Sequence, residues 1–83
     1  MTLLLTPEAE RGLSKMPKAD RARIVAALKQ VAADPSRRWP FATELVGQGG
    51  VWRLRKGDWR AVYRVVGGDV VVDRVGHRRE IYR

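Results

Sequence analysis

Residues 51–64, Val-Trp-Arg-Leu-Arg-Lys-Gly-Asp-Trp-Arg-Ala-Val-Tyr-Arg, show the alternation of a β-hairpin, most clearly in Trp52-Arg53-Leu54-Arg55 and Trp59-Arg60-Ala61. Side chains point alternately to the two faces of a strand, and Gly57-Asp58 suits a two-residue type II′ turn. The pattern therefore predicts a β-hairpin in which Arg55 lies opposite Arg60. An apolar face and a basic face result, with Trp52, Leu54, Ala61 and Tyr63 on the first and Arg53, Arg55, Arg60, Val62 and Arg64 on the second.

The predicted pairing of Arg55 with Arg60 is unfavourable for folding, because like charges directly opposite each other destabilise a sheet. Stability alone does not select such a pair. Guanidinium groups bind phosphate through charge-assisted, often bidentate hydrogen bonds. The basic face of the hairpin therefore indicates a surface that receives an anion, and a phosphate backbone is the leading candidate.

Before residue 51 the apolar spacing becomes helical. Residues 2–5 predict a short strand, and Thr6-Pro7-Glu8 predicts the capped start of a short helix that ends at Pro17. Residues 18–33 predict the clearest helix, which Pro35 stops. Its apolar stripe has helical spacing and consists of Ile24, Ala27, Leu28 and Val31. The short connection between the two helices predicts an antiparallel helical hairpin.

After the hairpin, a second tight turn at Gly67-Gly68 predicts a third strand over residues 70–75. The register of this strand stays open. A two-residue turn directs Arg74 to the covered face, whereas a three-residue turn directs Asp73 there. One of these charges is therefore expected near the strand end or in a buried ion pair.

The expected fold class is α+β, in a single domain of residues 1–83. It has a short N-terminal strand, an antiparallel helical hairpin and then a three-stranded antiparallel meander, with the helices on the apolar face. Residues 36–50 are expected to be irregular. In this segment Trp39 is interpreted as a core residue, and base stacking by an exposed Arg37-Arg38-Trp39 is the alternative.

Composition adds a strong positive charge to this fold. Seventeen Lys and Arg against nine Asp and Glu give a formal net charge of +8, which favours nucleic acid or acidic proteins as partners. The chain has no cysteine, which excludes disulfides and thiolate zinc sites. The first residues lack a signal peptide and no stretch reaches the length of a membrane span, so a cytoplasmic protein without membrane contact is expected.

The candidate chemistry is metal-free cleavage of RNA. Arginines near one open sheet face can stabilise the charge of a phosphorane, and the C-terminal tail adds His77, Glu80 and Tyr82 for proton transfer. No metal-ligand cluster surrounds His77, so neither a metal nor a cofactor is predicted. Basic sheet faces also occur in plain RNA-binding modules, but those display aromatic residues on the open face. The covered aromatic residues of this hairpin favour phosphate chemistry.

Three motifs carry a family resemblance: Trp52-Arg53-Leu54-Arg55, the hairpin Gly57-Asp58-Trp59-Arg60-Ala61-Val62-Tyr63-Arg64, and the ending Gly76-His77-Arg78-Arg79-Glu80-Ile81-Tyr82-Arg83. Over almost its whole length the chain resembles the RelE/ParE superfamily of bacterial toxin–antitoxin toxins, and the RelE branch in particular. That branch cleaves mRNA in the ribosomal A site, so the resemblance implies a ribosome-dependent mRNA endonuclease that inhibits translation.

The resemblance also implies roles for single residues. In the catalytic group, Arg60 binds the phosphate, Arg78 stabilises the transition state, Tyr82 orients or activates the 2′-OH, and His77 assists in charge stabilisation or proton transfer. The implied RNA-binding residues are Arg53, Arg55, Lys56, Arg64 and Arg79. The basic pair of β-strand residues is Arg in this chain, which removes a lysine general base and leaves the identity of the base open among His77, Glu80 and Tyr82.

Partners follow from the same resemblance. They are the ribosome and mRNA, together with an acidic, co-encoded and DNA-binding antitoxin that forms a hetero-oligomer with the toxin. Two alternatives stand beside the nuclease. One is a ParE-like toxin that inhibits DNA gyrase without cleaving RNA, and the other is a non-toxic RNA-binding relative.

Overall fold

The computed structural model describes residues 2–45, 47 and 49–81. The elements are β1 (Leu3–Leu5), α1 (Pro7–Ser14), α2 (Lys18–Ala33), β2 (Ala42–Glu44), β3 (Val51–Lys56), β4 (Trp59–Val66) and β5 (Asp69–His77). The order of helices and strands confirms the predicted α+β class. No helix in the described part of the chain is long and apolar enough to cross a membrane.

The strands form one five-stranded sheet in the order β1-β5-β4-β3-β2. Strand β1 is parallel to β5, and the other neighbouring strands are antiparallel. The predicted meander is β3-β4-β5. The prediction that residues 36–50 are wholly irregular was wrong for β2, which pairs with β3 so that Thr43 lies opposite Arg53. Three residues are too short for a period-2 pattern, and the pairing with β3 creates this strand.

The β3–β4 hairpin has the predicted register throughout. Arg55 lies opposite Arg60, Trp52 opposite Tyr63 and Lys56 opposite Trp59. Gly57 has φ +58°, as the first central position of a type II′ turn requires. The rings of Trp52 and Tyr63 stack with centroids 6.3 Å apart, on the face that the helices cover.

The core lies between the two helices and one face of the sheet. Thr6 caps α1 as predicted, because its Oγ1 accepts a hydrogen bond of 3.1 Å from Ala9 N. The predicted stripe of α2 is buried, and it packs with α1 and the sheet in a cluster that includes Ala9, Leu13, Met16, Ile24, Leu28, Val31, Leu54, Tyr63, Val70 and Val72. We call the other side of the sheet the open face.

A β-bulge in β5 settles the register that the sequence left open. Val62 pairs with Arg74 and Tyr63 pairs with Val72, so Asp73 is the extra residue. The bulge shifts the alternation by one position, which keeps the valines on both sides of it, Val72 and Val75, buried. Both charged residues consequently lie on the open face. The expectation that one of them lies near the strand end or in a buried ion pair was wrong.

Helix α1 lies unusually close to β5. A Cβ atom on Gly12 would overlap the carbonyl oxygen of Val75, so only glycine permits this approach. The hydroxyl of Thr6 also donates to the carbonyl oxygen of Asp73 at 2.8 Å. Strand β1 pairs with residues 70–72 of β5, and α1 packs beside β5 beyond that pairing.

Candidate functional site

The open face carries arginines on three neighbouring strands. Arg55 of β3 lies opposite Arg60 of β4, and in the next row Val62 lies between Arg53 of β3 and Arg74 of β5. Directly opposed Cα atoms are about 5 Å apart and strands two positions apart are separated by about 10 Å. The four arginine side chains therefore leave the sheet within an area that a short piece of nucleic-acid backbone can span. We call Arg53, Arg55, Arg60 and Arg74 the arginine face.

Arg60 is fixed over the hairpin turn by its own side chain. Its Nη1 donates hydrogen bonds of 2.7 Å to the carbonyl oxygen of Gly57 and 2.9 Å to that of Trp59. Arginine has five N–H donors in a planar fork, and these two hydrogen bonds fix the direction of that fork. The turn thus orients the residue that the sequence predicted to bind phosphate.

The same turn holds Arg78. The backbone N–H of Arg78 donates to the carbonyl oxygen of Asp58 at 2.8 Å, and its Nε lies 3.4 Å from Asp58 Oδ1. Both side chains are more than half exposed. The Gly57-Asp58 turn therefore brings together Arg60 and Arg78, two residues that are 18 positions apart in the sequence.

The C-terminal tail turns after β5 and packs against the sheet through Ile81. This side chain is buried, and its Cβ lies 3.9 Å from the position that a Cβ on Gly76 would occupy. Gly76 pairs with Arg60, so the tail lies beside the arginine face. The predicted catalytic residue Tyr82 directly follows Ile81 in the sequence but lies outside the described residues.

His77 is not brought to the arginine face. It pairs with Trp59, and strand alternation places both on the side opposite Arg60. The two rings meet edge to face with centroids 5.4 Å apart, and Nδ1 of His77 accepts a hydrogen bond of 3.2 Å from the backbone of Arg79. The structure therefore places His77 as a support for the start of the tail.

Two predicted RNA-binding residues already have protein partners. Lys56 lies on the Trp59 side of the hairpin, with Nζ 4.4 Å from the centroid of the Phe41 ring. Arg64 lies on the open face and forms a bidentate ion pair with Asp73, with N–O distances of 2.7 and 2.9 Å. The hydrogen bonds and the charge of Asp73 raise the pKa of Arg64 above its ordinary value. Arg79 is exposed in the tail.

Arg74 is the site residue that the sequence analysis missed. Strict alternation along β5 left open which face it occupies, and only the bulge turns it toward Arg53. A usable signal was present in the sequence, because two charged residues separate Val72 from Val75. Apolar residues three positions apart within a strand do not fit a period of two and are typical of a bulge.

Trp39 packs against the core, as its preferred interpretation predicted. Its Nε1 donates to the carbonyl oxygen of Asp34 at 3.2 Å, and its ring stacks on Phe41 with centroids 5.6 Å apart. The guanidinium of Arg37 lies 4.4 Å from the centroid of the Trp39 ring. These contacts give Trp39 a structural role between α2 and β2.

No group of three or more acidic or histidine side chains that could hold a metal ion occurs among residues 2–45, 47 and 49–81. The arginine face supplies fixed positive charge. Arginine donates up to five hydrogen bonds and stays protonated, so it can neutralise a phosphate but cannot act as a general base.

A family model described as the ParE toxin of type II toxin–antitoxin systems, parDE, matches residues 3–82. The chain belongs to the RelE/ParE superfamily of type II toxin–antitoxin toxins. The superfamily resemblance predicted from the hairpin and the C-terminal ending is thereby confirmed. No curated protein sequence matches the chain.

Solved structures of RelE toxins share the fold. The RelBE2 toxin–antitoxin complex of Mycobacterium tuberculosis matches with 30% identity and a TM-score of 0.76, over 93% of this chain and 96% of that chain. The RelB–RelE complex of Methanococcus jannaschii matches with 24% identity and a TM-score of 0.81, over 95% and 94%. The isolated Escherichia coli RelE toxin matches with 23% identity and a TM-score of 0.80, over 98% and 89%.

Proposed function

We propose that this toxin is a ribosome-dependent mRNA endonuclease. The observation that carries the proposal is the pairing of Arg55 with Arg60 on a sheet face that the helices do not cover, with Arg53 and Arg74 in the next row. This arrangement lowers the stability of the sheet and suits an anionic ligand. RelE toxins are among the structures that share this fold.

In the proposed reaction, the 2′-oxygen of a ribose attacks the adjacent phosphorus and the bond to the 5′-oxygen breaks. The 2′-OH loses its proton to a base, and the departing 5′-oxygen gains a proton from an acid. The products are a 2′,3′-cyclic phosphate and a 5′-OH end. Negative charge accumulates on the equatorial oxygens of the phosphorane, where fixed guanidinium groups stabilise it more than they stabilise the ground state.

Arg60 and Arg78 have different parts in this proposal. Carbonyl oxygens of the turn fix Arg60, so it presents a preorganised donor to the phosphate. Arg78 is held by an exposed ion pair with Asp58. Exposed ion pairs are weak, so a phosphate can replace the carboxylate as the partner of Arg78. We assign the first residue to phosphate binding and the second to the transition state.

The proton transfers are assigned to the tail. Tyr82 keeps the role that the resemblance implies, which is to orient or activate the 2′-OH. The contacts of His77 with Trp59 and with the backbone of Arg79 favour a positioning role for this residue.

Primer extension on cellular mRNA after brief induction tests the proposal. Wild type should produce cuts in phase with codons, and Arg55→Ala and Arg78→Ala should reduce them strongly while remaining folded. Lys29→Ala is the control, since it removes one positive charge from the exposed side of α2. Growth arrest by wild type with intact mRNA would contradict the nuclease.

The proposed protein partner is an acidic, DNA-binding antitoxin encoded beside the toxin. The net charge of +8 supports an acidic partner, and the matching structures include several RelB–RelE type complexes. Co-expression of the neighbouring small acidic protein should restore growth, and the pair should co-purify and bind its own operator. Continued growth arrest at equal expression would remove this partner.

A second candidate function is inhibition of DNA gyrase without RNA cleavage. The family model that matches the chain is that of ParE toxins, which favours this alternative. A DNA-damage reporter run beside the primer extension distinguishes the two functions. An active reporter with intact mRNA would assign the protein to gyrase inhibition, whereas codon-phased cuts with a silent reporter would assign it to the nucleases.

A further inference from the structure

A cavity of about 360 Å³ lies beside the arginine face, between α1 and β5. Its charged lining consists of Arg11 and Lys15 from the end of α1, Arg74 from β5, and the carboxylates Glu8 and Glu80. Gly76 and Ile81 form part of its wall. Glu80 is a candidate base from the sequence and Arg74 belongs to the arginine face, but the other charged residues of the lining have no role in the proposed function.

The close approach of α1 to β5 places the basic side chains at the rim. Gly12 lets the helix rest on the carbonyl of Val75, so the residues around it face the strand. Arg11 and Lys15 are four positions apart and therefore lie on the same side of the helix. Both are exposed, so their charged groups are open to a ligand.

Arg74 joins the cavity to the arginine face. The bulge at Asp73 turns Arg74 to the open face, where it pairs with Val62 in the same row as Arg53. The same residue lines the cavity. A polynucleotide whose phosphate contacts Arg55 and Arg60 can therefore continue past Arg74 into the cavity without leaving a basic surface.

The mixture of charges in the cavity fits a nucleotide better than a bare anion. Three cationic side chains can bind a phosphate, while two carboxylates can accept hydrogen bonds from ribose hydroxyls or from the amino groups of a base. The volume falls within the range of small-molecule sites, about 300 to 1,000 Å³. Carboxylates beside the phosphate would oppose the binding of a bare anion, but a nucleotide supplies partners for both signs of charge.

We propose that this cavity binds one nucleotide of the RNA strand, next to the phosphodiester that the arginine face holds. Arg11, Lys15 and Arg74 contact its phosphate, and Glu8 and Glu80 contact its ribose or base. The inference rests on the proposed function in one respect, that the arginine face receives RNA. It adds to that function a substrate subsite in which Arg11, Lys15, Glu8 and Glu80 join Arg74 of the arginine face.

The test is the binding of a uridine 12-mer to the free toxin at several salt concentrations. Each phosphate of single-stranded RNA that a protein neutralises makes the plot of log affinity against log salt steeper by about 0.7. We expect Arg11→Ala/Lys15→Ala and Arg74→Ala each to make this slope shallower and to weaken binding about tenfold, equivalent to about 1.4 kcal/mol. Arg74→Lys should recover part of the affinity.

Arg23→Ala/Lys29→Ala is the matched control, because it removes the same two charges from exposed positions of α2. It should leave the slope unchanged. An equal slope for wild type and for Arg11→Ala/Lys15→Ala would overturn the subsite. The subsite is also overturned if the control variant makes the slope equally shallow, because the effect would then come from the overall positive charge of the protein.

Failure of the proposed nuclease gives a different result. If the cavity variants make the slope shallower but wild type produces no codon-phased cuts in cells, the subsite stands and the nuclease falls. If wild type cuts mRNA and the cavity variants bind as wild type does, only the subsite is overturned. If the wild-type toxin does not bind the 12-mer, the subsite is overturned. The role of the arginine face in binding free RNA is then overturned as well.

Discussion

Arg55 of β3 lies directly opposite Arg60 of β4, on the face of the hairpin that the helices leave uncovered. On the other face of the same hairpin, Leu54 and Ala61 form a buried apolar pair. The hairpin thus combines one pair that stabilises the fold with one that opposes it. Such a local conflict is typical of positions that are kept for function.

Arg55→Thr should make the protein more stable and less active. Removal of one charge relieves the repulsion across the strands, and threonine is a good strand former, so the free energy of unfolding should rise by up to about 1 kcal/mol. Urea unfolding measures this change. RNA cleavage and growth inhibition should fall in the same variant.

Arg53→Thr is the matched control for that measurement, because Arg53 lies opposite Val62 and has no like charge across the β3–β4 pair. It should show no comparable gain in stability. A loss of stability in Arg55→Thr would mean that the two arginines are not in conflict and that the anion-binding interpretation of the pair is wrong.

Asp73→Asn should strengthen RNA binding. Asp73 neutralises Arg64 through two hydrogen bonds on the open face. The substitution removes the negative charge and makes the guanidinium available to phosphate. We expect affinity for the uridine 12-mer to rise by between about two- and tenfold at low salt, equivalent to about 0.4–1.4 kcal/mol.

Asp69→Asn is the control for Asp73→Asn, because Asp69 also lies in β5 but its carboxylate accepts from the backbone of Thr2. The control matches the change in net charge at a position away from Arg64. If both variants bind RNA equally well, the gain comes from net charge and not from release of Arg64.

Gly12→Ala should destabilise the protein, although alanine is the better helix former. The new Cβ would overlap the carbonyl oxygen of Val75, so α1 would have to move away from β5. Overpacking of this kind costs about 1–3 kcal/mol. Gly49→Ala is the control, because a Cβ there meets nothing within 4 Å. Thermal unfolding of the two variants compares them directly, and equal melting temperatures would contradict the close approach.

Sequence reasoning was most successful where contacts are local. The register of the β3–β4 hairpin follows from one turn and strict alternation, so the opposition of Arg55 and Arg60 could be predicted. The faces of Arg74 and His77 depend on a bulge in β5, and alternation alone cannot locate a bulge. Strand β2 depends on pairing with β3, which no short pattern in residues 42–44 reveals.

The stability of the protein should fall in alkaline solution because of Tyr63. Burial raises the pKa of Tyr63 to about 12, whereas an unfolded chain has a tyrosine pKa near 10. Below pH 10 both states keep the proton and no effect appears. Between pH 10 and 12 the unfolded state loses its proton first, so the free energy of unfolding falls by up to about 1.4 kcal/mol per pH unit.

Tyr63→Phe should remove this part of the alkaline loss and keep the ring that stacks on Trp52. Urea unfolding of both proteins at pH 9, 10 and 11 gives the comparison. All other ionisable groups are common to both proteins, so their contributions cancel in the difference. Parallel pH curves for the two proteins would show that the hydroxyl of Tyr63 is not buried in the folded state.

His77→Phe should retain most of the cleavage activity. The ring of His77 packs edge to face on Trp59, and its Nδ1 accepts from the backbone of Arg79, so the residue supports the start of the tail. Phenylalanine preserves the ring contact, and His77→Asn preserves an acceptor for Arg79.

Each variant should lose less than about tenfold in cleavage rate, whereas loss of a general acid or base costs about 10²–10⁴-fold. His77→Ala removes both contacts and should lose more than either. A loss above about 100-fold in both His77→Phe and His77→Asn would assign proton transfer to His77.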